Sequence, residues 1–170
     1  MKKQLFILLI AVFSSISCHQ STKKEAETST YYLIRHAEKN RTDKSNKDPN
    51  LTKEGLNRAK NWSSHFKDIE FNVVYTTDYN RTRQTAEPTA KANGLEMQVY
   101  NFSEINIEEF IKNTRGKTVL IVGHSDTTPK FVNQLLGEAK YENIADKNNA
   151  NLYKVTISKQ GKSSQLSVFD

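Results

Sequence analysis

Residues 118–126 read Thr-Val-Leu-Ile-Val-Gly-His-Ser-Asp. The run TVLIV is β-branched and leucine throughout, the pattern of a strand buried on both faces of a parallel sheet. It stops at Gly123 and gives way to His124, Ser125 and Asp126. Two earlier segments share this layout. Tyr31–Arg35 (YYLIR) predicts a short buried strand running into Arg35-His36. Phe71–Tyr75 (FNVVY) predicts a second, followed by Thr76-Thr77-Asp78-Tyr79-Asn80-Arg81.

Helical patterns lie between these strands. Thr52 is a candidate N-cap with Glu54 in the first turn, and Leu56, Ala59, Trp62 and Phe66 follow at helical spacing as an apolar face. Arg81–Ala92 reads as a helix despite Pro88, closed by Asn93-Gly94. Leu95–Tyr100 reads as a strand, Ile107–Lys112 as a short helix, and Thr127–Leu136 as a helix ending at Gly137. Asn151–Ser158 and Gln165–Phe169 read as final strands joined through Gln160-Gly161 as a hairpin. This alternation predicts an α/β domain, a three-layer sandwich with a mostly parallel central sheet and helices on both faces. Ligands of such sheets bind beyond the carboxyl ends of the strands. Parallel strands would bring the three polar clusters to one edge, carrying His36, His124, Arg35 and Arg81.

Those residue types define a chemistry. Two guanidiniums offer donor forks that match phosphate oxygens. A neutral imidazole can act as a nucleophile, and a second can donate to a developing phosphoryl charge. The set suits phosphoryl transfer, where positioning and electrostatics do most of the catalysis. No HExxH motif, paired CxxC or close His/Asp cluster is present, so neither a metal nor a cofactor is expected. His65 is expected to be exposed on the polar side of the Trp62 helix.

The segments RHAEK, TTDYNRTRQTAEPTA and VGHSDTTP resemble the three signature segments of the histidine phosphatase superfamily, the phosphoglycerate mutase-like fold. DPNLTKEGLNRA also resembles the start of that family's first helix. The second segment departs from the usual Ser-Ser-Pro-Leu-x-Arg-Ala-x-Gln-Thr-Ala, while Arg81 and Gln84-Thr85-Ala86 stay in register. The resemblance covers nearly all of residues 30–140. It implies that His36 is the nucleophile that becomes phosphohistidine, and that Arg35, Arg81 and His124 bind the phosphoryl group. It also implies a carboxylic proton donor, for which Glu104 is the first candidate and Asp126 the alternative; Glu38 is more often a supporting residue. The short interval between Arg81 and His124 is similar to the compact members, the small phosphohistidine phosphatases. The expected activity is metal-independent hydrolysis of phosphomonoesters, on a phosphorylated small molecule or protein. The altered second segment keeps an alternative open, a catalytically weak phosphate-binding or envelope interaction module on the same fold.

The chain opens MKKQLFILLIAVFSSISC. Paired lysines, an apolar run and small residues before Cys18 make residues 1–18 an expected signal peptide. Ser15-Ile16-Ser17-Cys18 resembles a bacterial lipobox, although the usual leucine is Ser15. The single cysteine then has a role as the site of a lipid anchor. Residues 19–29 are polar and read as a tether, and 30–170 as one domain. The expected location is exported, in the bacterial cell envelope, lipid-anchored or periplasmic. The net charge of +6 is scattered along the chain, so no nucleic-acid partner is expected; a modest positive bias favours an anionic small substrate.

Overall fold

The structure, a computed structural model, describes residues 28–169. The signal segment with Cys18, and residues 19–27 of the tether, lie outside the described residues. The first strand, β1 (Ser29–Arg35), begins two residues before the expected Tyr31 and takes in the last position assigned to the tether. Ser29 is buried there, its hydroxyl accepting from Gly116 N at 2.9 Å.

The elements follow in the order α1 (Lys53–His65), β2 (Val73–Thr76), α2 (Asn80–Ala92), β3 (Met97–Val99), a single 3-10 turn (Phe102–Glu104), α3 (Ile107–Asn113), β4 (Thr118–Gly123), α4 (Thr127–Leu136), β5 (Asn151–Ser158) and β6 (Gly161–Val168). They build one six-stranded sheet in the order β3-β2-β4-β1-β5-β6. β3, β2, β4 and β1 run parallel, while β5 and β6 form an antiparallel hairpin at the β1 side. This is the expected three-layer α/β sandwich with a mostly parallel central sheet.

Alternation along the strands sorts the core into two layers. Tyr31, Leu33, Val119 and Ile121 face Phe110 of α3 and Phe131, Val132 and Leu135 of α4. Ile34, Val74, Leu120 and Val122 face Trp62 and Phe66 at α1 and Ala86 and Ala90 of α2. Because β4 is covered on both sides, every second residue cannot be polar, which is why TVLIV is apolar throughout.

Two expectations need correction. Leu56 is 43% exposed, and the inward positions of α1 are Gly55, Ala59 and Trp62. The helix crosses the chain at Glu38, and a Cβ at position 55 would lie 2.3 Å from Glu38 O. Glycine permits that approach, so the inward stripe starts one residue before Leu56. The last strand begins at Gly161, not Gln165, and pairs with β5 from Ser158↔Gly161 to Asn151↔Val168. Its polar Lys162-Ser163-Ser164 reads as loop only because an edge strand exposed on most of its length needs no apolar alternation.

Candidate active site

β4 lies between β1 and β2, so the three carboxyl ends are adjacent. Arg35 pairs with Gly123, and Thr76 with Val122. His36 N then donates to Gly123 O at 2.9 Å, tying the first cluster to the third. The expected convergence of three polar clusters on one edge is therefore what the topology produces.

His36 is 3% exposed. Its Nδ1 lies 2.7 Å from Ala37 O. A carbonyl only accepts, so Nδ1 carries the proton and Nε2 keeps its lone pair. Burial, offset in part by that hydrogen bond and reinforced by the charges of Arg35 and Arg81, lowers the His36 pKa to about 3. The ring is neutral near pH 7 and its tautomer is fixed. Its backbone is held too: Ala37 N donates to Thr85 Oγ1 at 2.9 Å, and Asn149 Nδ2 donates to His36 O at 2.6 Å.

Arg35 is 2% exposed, and its guanidinium is seated by the segment before β5. Nη1 donates to the carbonyls of Ala145, Asp146 and Asn148 at 2.9, 2.9 and 3.0 Å. Nη2 reaches the Asp146 carboxylate at 3.3 Å, which Arg41 also contacts at 2.9 Å. Asp146 and Asn149 were not foreseen from sequence. No pattern in the sequence marks them: the polar run leading into β5 crosses this edge because β5 lies antiparallel to β1 and starts where β1 ends.

The second cluster supplies Arg81, Thr77 and the seat of His124. Arg81 is mostly buried, with its guanidinium 4.2 Å above the Tyr79 ring and 3.5 Å from Asp48. His124 Nε2 lies 3.0 Å from Thr77 Oγ1, which donates to Thr82 Oγ1 at 3.0 Å. Thr82 Oγ1 faces two carbonyls, of Thr77 and Tyr79. With the Thr82 proton directed to a carbonyl and the Thr77 proton to Thr82, the contact to His124 is made by Nε2–H. Burial, then the Arg81 charge, lowers the His124 pKa to about 4. The two imidazole rings stand 5.5 Å apart. Gln84 and Thr85 also have physical work: Gln84 binds Leu51 N and Asn50, and Thr85 bridges Ala37 N and Arg81 O. Arg35 and Arg81 each retain a buried Nε without a partner among the described residues.

A cavity of about 760 Å³ opens beside this cluster, lined in part by Arg81, His124, Tyr79 and Phe102. Glu104 and Asp126, the two candidate proton donors, are both on its wall. Glu38 is elsewhere engaged, with Oε1 2.6 Å from Arg58 Nε. His65 is exposed, against Phe169 at 4.4 Å between ring centres.

Residues 31–109 match the family model of the histidine phosphatase superfamily, branch 1. No functionally curated protein matches the sequence. Among solved structures, a mycobacterial glucosyl-3-phosphoglycerate phosphatase superposes with a TM-score of 0.65 at 12% identity, over 84% of this chain and 98% of that one. The protein histidine phosphatase SixA, complexed with tungstate, gives 0.65 at 15% identity, over 82% and 96%. Phosphoglycerate mutase from Bacillus anthracis str. Sterne gives 0.62 at 16%, over 84% and 93%. At these identities the likeness is one of fold. The described domain thus has the phosphoglycerate mutase-like fold, and its residues 31–109 carry the signature of the histidine phosphatase superfamily, which this chain resembles.

Proposed function

We propose that the chain is a phosphatase that hydrolyses phosphomonoesters through a phosphohistidine on His36. The observation that carries this reading is the fixed tautomer of His36. Its Nδ1–H is spent on Ala37 O, which leaves Nε2 as a neutral nucleophile beside Arg35 and His124. The Nε2 lone pair attacks phosphorus, an N–P bond forms, and the bond from phosphorus to the leaving oxygen breaks. That oxygen keeps the electron pair and takes a proton from Glu104 or Asp126. Water then attacks phosphorus and gives a proton back to the carboxylate. The N–P bond breaks, its pair returns to Nε2, and inorganic phosphate leaves. Arg35 and Arg81 balance the phosphoryl charge, and their unpartnered Nε donors are groups a phosphate oxygen would satisfy. His124 turns its Nε2–H from Thr77 to the phosphoryl group.

The test is steady-state phosphate release from an aryl phosphate with a chelator present, by the wild type and by His36→Ala. Turnover that survives the chelator and disappears in the variant is expected, with acid-quenched enzyme carrying acid-labile phosphate on His36. No release from folded protein across pH and esters would leave the binding-module reading. The altered second segment, with Thr76-Thr77-Asp78-Tyr79 in place of Ser-Ser-Pro-Leu, is what favours that second reading.

We further propose export, with residues 1–18 as signal and Cys18 as the lipidated residue, which puts the domain in the cell envelope. The sequence order of lysines, apolar run and lone cysteine supports it. Incorporation of labelled palmitate by the full chain, lost in Cys18→Ala, is the expected result; a full chain that fractionates with the cytoplasm and takes up no lipid would overturn it.

A further inference from the structure

The two ends of the site differ in charge and in texture, and the contrast bears on the leaving group. At the His36 end stand Arg35, Arg41, Lys39 and Arg81, offset among the described residues by Asp146 and Asp48 and, more weakly, by Glu38. Lys39 makes no ion pair among the described residues. Burial, then the Arg81, Arg41 and Arg35 charges, pushes its ammonium pKa down. This end matches a dianionic phosphoryl group.

Arg81 and His124 line the near side of the cavity, and its far wall is built otherwise. Tyr79, Val99 and Phe102 are among its wall residues. Tyr79 is 39% and Val99 49% exposed, two of the large apolar side chains this domain leaves open to water. An apolar wall inside a concavity is the kind of surface a ligand covers. The same wall carries Glu104 and Asp126. Glu104 makes no ion pair among the described residues, and the cation nearest Asp126 is Lys130, half-exposed, at 3.8 Å. Whichever carboxyl serves as proton donor, the other is left facing the leaving group. A carboxylate held in a partly enclosed cavity repels a second anion and attracts a cation.

Resting on the phosphatase reading above, we infer that the cavity selects phosphomonoesters whose leaving group carries a ring or similar apolar body and is neutral or cationic. Esters bearing a carboxylate or a second phosphate on the leaving group are rejected. Discrimination comes from an acidic, aromatic wall placed beside a basic phosphoryl seat.

The experiment compares kcat/KM for phenyl, 4-(aminomethyl)phenyl and 4-carboxyphenyl phosphate, with ethyl phosphate as the ring-free reference. The wild type should favour the ammonium ester over the carboxylate ester by about fivefold, the upper scale of one solvent-exposed charge contact. Glu104→Gln and Asp126→Asn should each pull that ratio down severalfold. Intrinsic reactivity cancels when the ratio of one enzyme is divided by that of another. If one variant loses turnover as the proton donor, the other variant reads the ratio. Val99→Ser should lower the phenyl-to-ethyl ratio without changing the ammonium-to-carboxylate ratio. Equal turnover of the two charged esters, or a preference that survives in the readable carboxylate variant, overturns the inference and leaves the phosphatase reading intact. No turnover of any ester overturns both.

Discussion

His36 and His124 are both held below their ordinary pKa, chiefly by burial, His36 to about 3 and His124 to about 4. The consequence for stability has a definite sign. The unfolded histidines bind protons below about pH 6.5, whereas the folded ones do so only near 3 and 4. Between those limits the unfolded state binds more protons, so stability falls as pH falls. Each unit of depression that is realised is worth ~1.4 kcal/mol. Thermal melts from pH 7 to pH 4 should show a steep loss of Tm in the wild type and a shallower loss in His36→Asn; parallel curves would mean the burial of His36 is not felt as a pKa shift. Turnover should likewise persist at pH 5, where a free imidazole is mostly protonated, and an acid limb at the ordinary histidine value would contradict the proposed role of His36 as a neutral nucleophile. At this scale Arg35, His36 and His124 were readable, because each follows an apolar run that can only be a buried strand. Asp146 and Asn149 were not. They act on Arg35 and His36 from more than a hundred residues away, through carbonyl and amide contacts that any polar loop can offer.

Among the elements, α2 shows how the altered second segment still works. Tyr79 at its N-cap makes no side-chain cap bond. Asp48, from the loop between β1 and α1, supplies one in its place, with Oδ1 accepting from Asn80 N at 2.8 Å and lying 3.5 Å from Arg81. Asp48→Ala should cost ~1 kcal/mol, the usual worth of a cap, and should raise KM more than it lowers kcat by loosening Arg81. Asp48→Asn should restore the cap but not the charge, so recovery of stability with KM still raised separates the two roles. The same bonds, with Gln84 holding Leu51 and Asn50, pin this loop to α2. α1 makes a second close fit. A Cβ at Gly55 would meet Glu38 O at 2.3 Å and no flexible side chain is there to yield. Gly55→Ala should destabilise by roughly 1–3 kcal/mol, measured by denaturant midpoint. A neutral result would show that the helix can slide away from the strand end. Sequence reading placed this helix, with Ala59, Trp62 and Phe66 inward, but added Leu56 to that face, because spacing reports periodicity and not which residue must be small.

In the whole molecule, the parallel half of the sheet sets the chemistry and the antiparallel hairpin completes it. β2, β4 and β1 bring the histidines and arginines to one edge, as alternating strands and helices implied. Strand order was not readable, since buried apolar runs are nearly interchangeable between β1 and β4. Nor was the seat of Arg35, which exists only because β5 folds back beside β1. The resulting edge gathers Lys39, Arg35, Arg41 and Arg81 against Asp48 and Asp146, on a chain whose formal charge is already +6. A field of that sign draws phosphate esters toward the site and weakens with salt. The Debye length shrinks from ~10 Å at 0.1 M to ~3 Å at 1 M, far shorter than the approach path and comparable to a direct contact, and buried contacts are screened least. Raising ionic strength over that range should therefore lower kcat/KM for phenyl phosphate while leaving kcat nearly constant. Lys39→Met removes the one cation of this group that makes no ion pair among the described residues, so it should flatten the salt dependence and raise KM at low salt. A slope unchanged in Lys39→Met would place the attraction in the scattered charge of the chain instead of at this edge.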